Sequence, residues 1–352
     1  MTPRAGSRGL GQPAPDSPSR TDCFRPDGKQ QAFLQHNGKI MTVAPQPSGF
    51  RSQLSASPML FAMLPPLFWA GNFFLAKALS DDFPPFQMSF WRWMIAFLVL
   101  LPFAAPRLRA SMGQLSKEWP WLAALGVVGV TAFNCFIYVA LHYAMVVNAA
   151  LINALMPVMT LLFAYFILGA RIAGLQIAGI AAAMVGATVI ITRGDVLTLS
   201  AFVPSYGDIL VFLGMSTWAL YTVLIRWKPS TLDPLVFLLA TIAFGVIGHL
   251  PLIPIEIAVS GTPTIGLESL LALLYFAIFP SLLAYIFWNR AVKSLGPARA
   301  APFMYLMPLF AAALAIVFLG ERLGTYHVIG MAIIVAGLTT ALRAPARADA
   351  RR

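Results

Sequence analysis

The chain has 352 residues, of which 59% are hydrophobic and 11% charged, with a formal net charge of +11 and a mean hydropathy of +0.77. A soluble domain carries about a quarter charged residues; this composition leaves too little polar surface for a water-facing globule and points to a polytopic helical membrane protein, where each segment satisfies its own backbone polar groups. A basic excess can mark a nucleic-acid binder, but many of these basic residues lie in the tails and short loops, which fits membrane lipid headgroups and no nucleic acid.

Residues 1–57 are rich in Pro, Gly, Ser, Gln and Arg and hold no sustained apolar run, so they read as a disordered cytoplasmic tail. No apolar stretch follows the arginines as it would in a signal peptide. A second reading starts translation at Met41 and leaves a short leader; N-terminal mass spectrometry separates the two. Cys23 and Cys135 are too few and too differently placed for a disulfide framework.

From Met59 onward, apolar runs long enough to cross a ~30 Å hydrocarbon core recur. They fall near 59–79, 85–105, 119–142, 147–168, 173–192, 206–226, 234–256, 267–290, 297–319 and 324–342, ten predicted helices. Stop signals separate them: Asp81-Asp82 with Pro84-Pro85, Pro106-Arg107, Gly169, Gly194-Asp195, Lys228-Pro229, Gly261 to Pro263, Gly296-Pro297 and Gly320. Residues 343–352 form a basic tail.

The ten runs are two sets of five. With Pro157 placed over Pro308, an offset of 151, Ala140 falls on Ala291, Leu155 on Leu306, Leu168-Gly169 on Leu319-Gly320, Arg171 on Arg322, Gly179 on Gly330 and Gly186 on Gly337. Agreement at so long a period is a duplication, with repeats at 58–193 and 205–342. Five is odd, so the copies insert with opposite orientation. The charges agree: with the N-terminus inside, the internal loops hold nine Lys and Arg and the external ones three, which puts both termini in the cytoplasm. Inverted repeats of this kind build transporters with a central cavity at the repeat interface.

The residues resemble a known family. The pattern Y-x-A-L-x-Y at Tyr138 to Tyr143, the helix with Pro157 and the following L-G-x-R, matched by Leu319 to Leu323 in the second copy, are similar to EamA-type transporters of the drug/metabolite transporter superfamily. Leu67 to Leu79 looks like that family's opening segment, and Arg92 like an arginine that often follows its first loop. The likeness covers about 60–342. Ala170 departs from it, standing where the family commonly has Glu. The resemblance implies a carrier of small molecules in the cell (inner) membrane, with no cofactor.

Such a carrier needs polar and aromatic groups around a cavity, because polar side chains facing lipid are costly. The alignment nominates them. An offset of 149 sets Trp69 over Trp218 and Asn72 over Tyr221; the offset of 151 sets Asn134 over Tyr285 and Tyr138 over Asn289. An Asn and a Tyr are thus expected to face each other across the pseudo-twofold axis in both pairs. Spacings of three or four residues put each couple on one helical face. The alternative is that these side chains bond between helices as packing contacts. Asn148, Asn153, Met304 and Tyr305 are weaker cavity candidates, and Pro157 and Pro308 are expected to kink their helices.

Three charged positions are read with alternatives. Arg92 can counter an anionic substrate, but snorkelling or holding a helix end is the preferred role. Asp208 is the best carboxylate for a proton as coupling ion, although an Asp also suits a helix start. Glu321-Arg322 reads as a helix-end ion pair. Small residues at Ala178, Ala182 and Gly186 and at Ala332 and Ala336 suggest close helix packing and a possible homodimer face.

Enzyme classes find little footing: the four His make no metal spacing, and no P-loop, G-x-G-x-x-G or G-x-S-x-G is present. The expected function is secondary transport of a small-molecule substrate, and the resemblance to EamA-type transporters implies export of amino acids or related metabolites. An intramembrane lipid-modifying enzyme and a membrane scaffold or receptor with a vestigial cavity are the alternatives.

Overall fold

The computed structural model describes residues 20–24, 30–36, 39–42, 58–78, 83–195, 197–200, 203–263, 266–319 and 322–344. They belong to two units, Met1–Ala56 and Ser57–Arg352. In the first, β1 (Arg20–Phe24), β2 (Gln30–His36) and β3 (Lys39–Thr42) form an antiparallel sheet in the order β1-β2-β3, with Phe33 opposite both Thr21 and Thr42. These three stretches lie within the 1–57 segment that its composition reads as structureless. Composition hid the signal that the sequence holds: Asn37-Gly38, a dipeptide favoured in two-residue hairpin loops, stands between β2 and β3.

The described residues of the second unit form helices. The first is α1 (Pro58–Ala78). A single helical run then covers Pro85–Tyr143, made of α2 (Pro85–Gly126), a π-helical turn (Val127–Ala132) and α3 (Phe133–Tyr143). The break expected at Pro106-Arg107 is thus helical, in keeping with the good helix formers that follow it. The run nevertheless folds back on itself. Ser89 and Thr131 are 42 residues apart (131 − 89), about 63 Å along a straight helix. Yet both bond to one turn of α9 (Pro234–His249): Ser89 Oγ to His249 Nε2 at 2.7 Å, and Thr131 Oγ1 to Gly245 O at 2.8 Å. The reversal falls between Arg107, 3.4 Å from Asp233 Oδ2, and Glu118, which accepts from Ser230 and Thr231.

Beyond it come α4 (Val146–Asn153), α5 (Met156–Leu168), α6 (Gly174–Ile191), the short α7 (Leu197–Ser200) and α8 (Tyr206–Trp227). The single span expected at 234–256 is instead α9 followed by α10 (Leu252–Ser260), bent by 47°, because Pro251 cannot continue the hydrogen-bond ladder. The chain ends with α11 (Leu267–Phe276), a second π-helical turn (Ala277–Leu283), α12 (Ala284–Leu295), α13 (Pro297–Ala300), a 3-10 turn (Ala301–Tyr305), α14 (Leu306–Leu319) and α15 (Thr325–Arg343). Among the described residues, seven helices are long and apolar enough to cross a membrane, or eight with the bent pair as one span. Phe103, Phe166 and Phe318 stand more than 60% exposed on their flanks, a cost in water but none in lipid.

Several elements of the two copies correspond, although the continuous α2 of the first stands against α9, α10 and α11 in the second. Shifted by 151, the π-helical turn Val127–Ala132 falls on residues 278–283, within its counterpart, and α6 falls on residues 325–342, within α15. The expected kinks at the prolines lie three residues earlier, at Ala154-Leu155 and at the 3-10 turn. Of the small residues nominated on α6 and α15, Gly186 lies in the contact between the two helices, whereas Ala178, Ala332 and Ala336 are exposed on their outer sides. A Cβ on Gly179 would stand 2.6 Å from Gly337 O, and one on Gly186 would stand 2.7 Å from Gly330 O. As numbers rise on α6 they fall on α15, so the two helices run antiparallel. The position that Gly179 holds in the first copy is held by Gly330 in the second, and Gly186 likewise matches Gly337. Each pair is therefore the other with the copies exchanged. Glu321 lies outside the described residues.

Candidate functional site

Trp69 and Asn72 share a face of α1, and Asn134 and Tyr138 share a face of α3. With Arg92, Phe133, Ile137, Asn153, Met215, Trp218, Met304 and Met307 they line a cavity with about 20 Å³ of water-sized space, room for roughly one water molecule. Four of its walls are helices of the first copy and contribute every polar lining group except the Trp218 indole. The second copy adds Met215, Trp218, Met304 and Met307. Asn153 and Met304, equivalent at the offset of 151, line it together.

Tyr221, Tyr285 and Asn289 do not line this space, contrary to expectation. The rings of Tyr221 and Tyr285 pack behind Trp218 on the second copy's side. Tyr221 stacks on Trp218 at 5.2 Å and 28°, Tyr285 meets Trp218 at 5.1 Å and Trp93 at 4.9 Å, and Trp288 donates Nε1 to Thr222 Oγ1 at 3.0 Å. Asn134 and Tyr285 do meet across the axis, but Asn72 and Tyr138 do not pair with their counterparts Tyr221 and Asn289. Tyr138 OH donates to Asn72 Oδ1 at 3.2 Å, and Tyr221 OH donates to Asn289 Oδ1 at 3.0 Å. Each bond stays within its own copy, with the two residue types exchanged between copies. Trp69 and Trp218 meet at the axis as well.

The π-helical turns supply acceptors to this cluster. A π turn leaves carbonyls without their usual helical partners. Gly129 O accepts from Tyr285 OH, and the equivalent Pro280 O accepts from Trp69 Nε1 at 3.0 Å. Both bonds cross from one copy to the other. Gly129 is required there, since a Cβ would strike the Tyr221 ring. Asn134 turns its amide to Val130 O at 2.7 Å in the same turn.

Arg92 is the group that sequence reasoning placed wrongly. It sits seven residues into α2, about 10 Å from the helix start, and is 2% exposed. Its Nε donates to Ser281 Oγ at 2.7 Å; its Nη1 donates to Asn72 Oδ1 at 3.2 Å and to the Tyr138 hydroxyl. The guanidinium lies 5.1 Å from the Trp93 ring centre and 5.8 Å from that of Tyr138, within cation–π range. Among the described residues no carboxylate pairs with it, the one ion pair there being Arg107 with Asp233. Glu256, across the same helix, accepts from Phe86 N at 2.8 Å and Gln87 N at 2.7 Å. It satisfies two of the free N–H groups at the start of α2.

Asp208 lies away from the cavity. Its Oδ2 accepts from Ser205 N at 2.8 Å and Asn148 Nδ2 at 2.9 Å, and its own N–H reaches Ser205 Oγ at 3.2 Å. That is a capping box at the start of α8. Asn148 is thereby committed to Asp208 and not to the cavity, whereas Asn153 has only Met307 Sδ, at 3.4 Å, as a partner. Tyr305 is buried without lining the space.

The chain is similar to known proteins. An uncharacterized transporter, YyaM, of Bacillus subtilis (strain 168) is 31% identical over 281 residues, covering 78% of this chain and 90% of its own. A probable terminal-alkyne amino-acid exporter of Streptantibioticus cattleyicolor is 28% identical over 77% of this chain and 88% of its own. The uncharacterized inner membrane transporter YedA of Escherichia coli (strain K12) is 25% identical over 81% of this chain and 90% of its own. A solved crystal structure superposes with a TM-score of 0.65 at 22% identity, over 81% of this chain and 97% of that one, a likeness of fold. The sequence model of the EamA-like transporter family matches twice, at residues 56–192 and 205–343. Two such matches span most of the chain, and with the multi-pass helical unit they make it a member of the EamA-like transporter family.

Proposed function

We propose that this transporter is a secondary carrier that exports amino acids or related small metabolites by alternating access through the cavity between its copies. One observation carries the reading: a buried cavity with polar walls lies where equivalent residues of the two copies, Trp69 and Trp218, come together. Space for about one water molecule is too little for a metabolite, so passage requires the helices around it to part. Trp69, Asn72, Asn134, Tyr138 and Trp218 contact the substrate in this reading, and Tyr221, Tyr285 and Asn289 hold the Trp218 side of the wall in place.

The proposed topology has ten crossings in two inverted repeats of five. It counts α1 and both limbs of the Pro85–Tyr143 run as spans, with the bent α9–α10 pair as one. The nine-to-three distribution of basic residues supports both termini in the cytoplasm. The inner-membrane name of the Escherichia coli relative supports the cell membrane, and the name of the Streptantibioticus relative supports an amino-acid substrate.

Purified protein in liposomes tests the function: counterflow of a radiolabelled amino acid is expected, and its absence for every amino acid and related metabolite tried removes the reading. Topology is tested separately. Met112→Cys and Thr262→Cys, both exposed, lie towards opposite ends of the α9–α10 pair and should label from opposite sides of the membrane.

A further inference from the structure

We propose that Arg92 is the carboxylate-binding group of this transporter: the transported molecule carries a carboxylate that seats on the Arg92 guanidinium, with an apolar body against Phe133, Ile137 and Met215. This rests on the transport reading and narrows it to a substrate class.

A charge buried in the membrane region is costly unless it is paired. The buried carboxylates that could have paired with Arg92 are committed elsewhere, Glu256 to the start of α2 and Asp208 to the capping box of α8. Arg92 instead has three neutral acceptors: Ser281, Asn72 and Tyr138. Neutral acceptors orient the guanidinium without cancelling its charge. They use Nε and Nη1, and Nη2 has no hydrogen-bond partner among the described residues. A fork held this way is suited to receive a planar anion with two oxygens.

Two further polar groups stand unanswered in the same wall. The buried Trp218 Nε1 has no partner, and the Asn153 amide has only a methionine sulfur. An indole N–H adds a donor for a carboxylate oxygen, and an amide can answer a neutral or cationic substituent beside it. The remaining lining is apolar, which favours one anionic group on an apolar body over a multiply charged molecule. The position that Arg92 holds in the first copy is held in the second by Thr241, whose hydroxyl bonds to Leu238 O. The positive group is therefore single and off the axis, as a site for one carboxylate requires.

The test pairs acids with their neutral and decarboxylated counterparts on the full-length protein in nanodiscs and liposomes. The probes are L-leucine and L-phenylalanine, their primary amides, and the amines left by removing the carboxyl group. Thermal stabilisation and counterflow are expected for the acids, with amides and amines weaker by roughly tenfold or more, as at a site that leaves a buried polar group unpaired when the matching group is missing. Arg92→Gln should erase the difference between acid and amide, and Arg92→Lys should keep part of it. Amides and amines handled as well as acids by the unaltered protein, or undiminished discrimination in Arg92→Gln, overturn the carboxylate site while transport stands. Should Arg92→Gln fail to fold, the comparison on the unaltered protein decides alone. Failure of every probe to bind or move overturns both the carboxylate site and the amino-acid transport reading.

Discussion

Trp69 and Trp218, the same position in the two copies, meet edge to face with ring centres 5.0 Å apart and planes at 79°. The geometry is that of a favourable aromatic pair, but the two indoles are not equivalent. Trp69 Nε1 donates to Pro280 O at 3.0 Å, whereas Trp218 Nε1 is buried without a partner.

That difference is measurable. Trp69→Phe gives up a hydrogen bond and Trp218→Phe does not, so thermal unfolding in detergent should show Trp69→Phe to be less stable by about 0.5–1.5 kcal/mol. Equal losses would mean that ring volume alone matters at both positions. On the carboxylate reading, Trp218→Phe also weakens acid binding more than it weakens the fold.

The two tyrosine hydroxyls separate in the same way. Tyr138→Phe removes a group that touches Asn72 and Arg92 in the cavity wall; transport is expected to fall at least tenfold, with a small change in melting temperature. Tyr221→Phe removes a bond to Asn289 behind the wall, and its cost of roughly 0.6–2 kcal/mol should appear in stability. Reversed behaviour, with Tyr221→Phe inactive and Tyr138→Phe active, would place the substrate on the second copy's side.

Close contact between α6 and α15 predicts intolerance of side chains at its glycines. Gly179→Val and Gly337→Val should each destabilise by about 1–3 kcal/mol through overpacking. Because both act at one contact, the double variant should lose less than the sum. Strict additivity would show that the helices do not meet there.

Asp208→Asn keeps one acceptor in the capping box of α8 and removes the charge near the helix start. The expected outcome is a loss of up to about 1 kcal/mol in stability, with substrate counterflow unchanged and any pH-gradient-driven accumulation retained. Lost accumulation with intact exchange of substrate for substrate would instead assign Asp208 the coupling proton.

Much of the fold is legible in the sequence because residue identities survive between the copies: Gly179 over Gly330 and Pro157 over Pro308 fix the register before any coordinate is known. The reversal between Arg107 and Glu118 is legible as the gap between the spans expected at 85–105 and 119–142, but its helical character is not, since a stop signal at Pro106-Arg107 is followed by good helix formers. The π-helical turns escape for a similar reason, as no residue type demands a widened turn. At the site, the offsets identify equivalent positions but not neighbouring helices. Asn72 and Tyr138 were therefore expected to face their counterparts, when in fact they face each other. Arg92 was expected near a membrane face, whereas it is buried against Ser281, Asn72 and Tyr138. A string of residues shows that an arginine is present; only the packed structure shows that Glu256 is already occupied.

The exchange relation between Gly179–Gly337 and Gly186–Gly330 has a consequence for half the molecule. Each copy carries both members of the contact it makes, so its surface is complementary to itself. Two separate half-length chains could form the same crossing, but only if one entered the bilayer upside down relative to the other. The linker between the copies thus fixes one arrangement out of several that separate halves would sample.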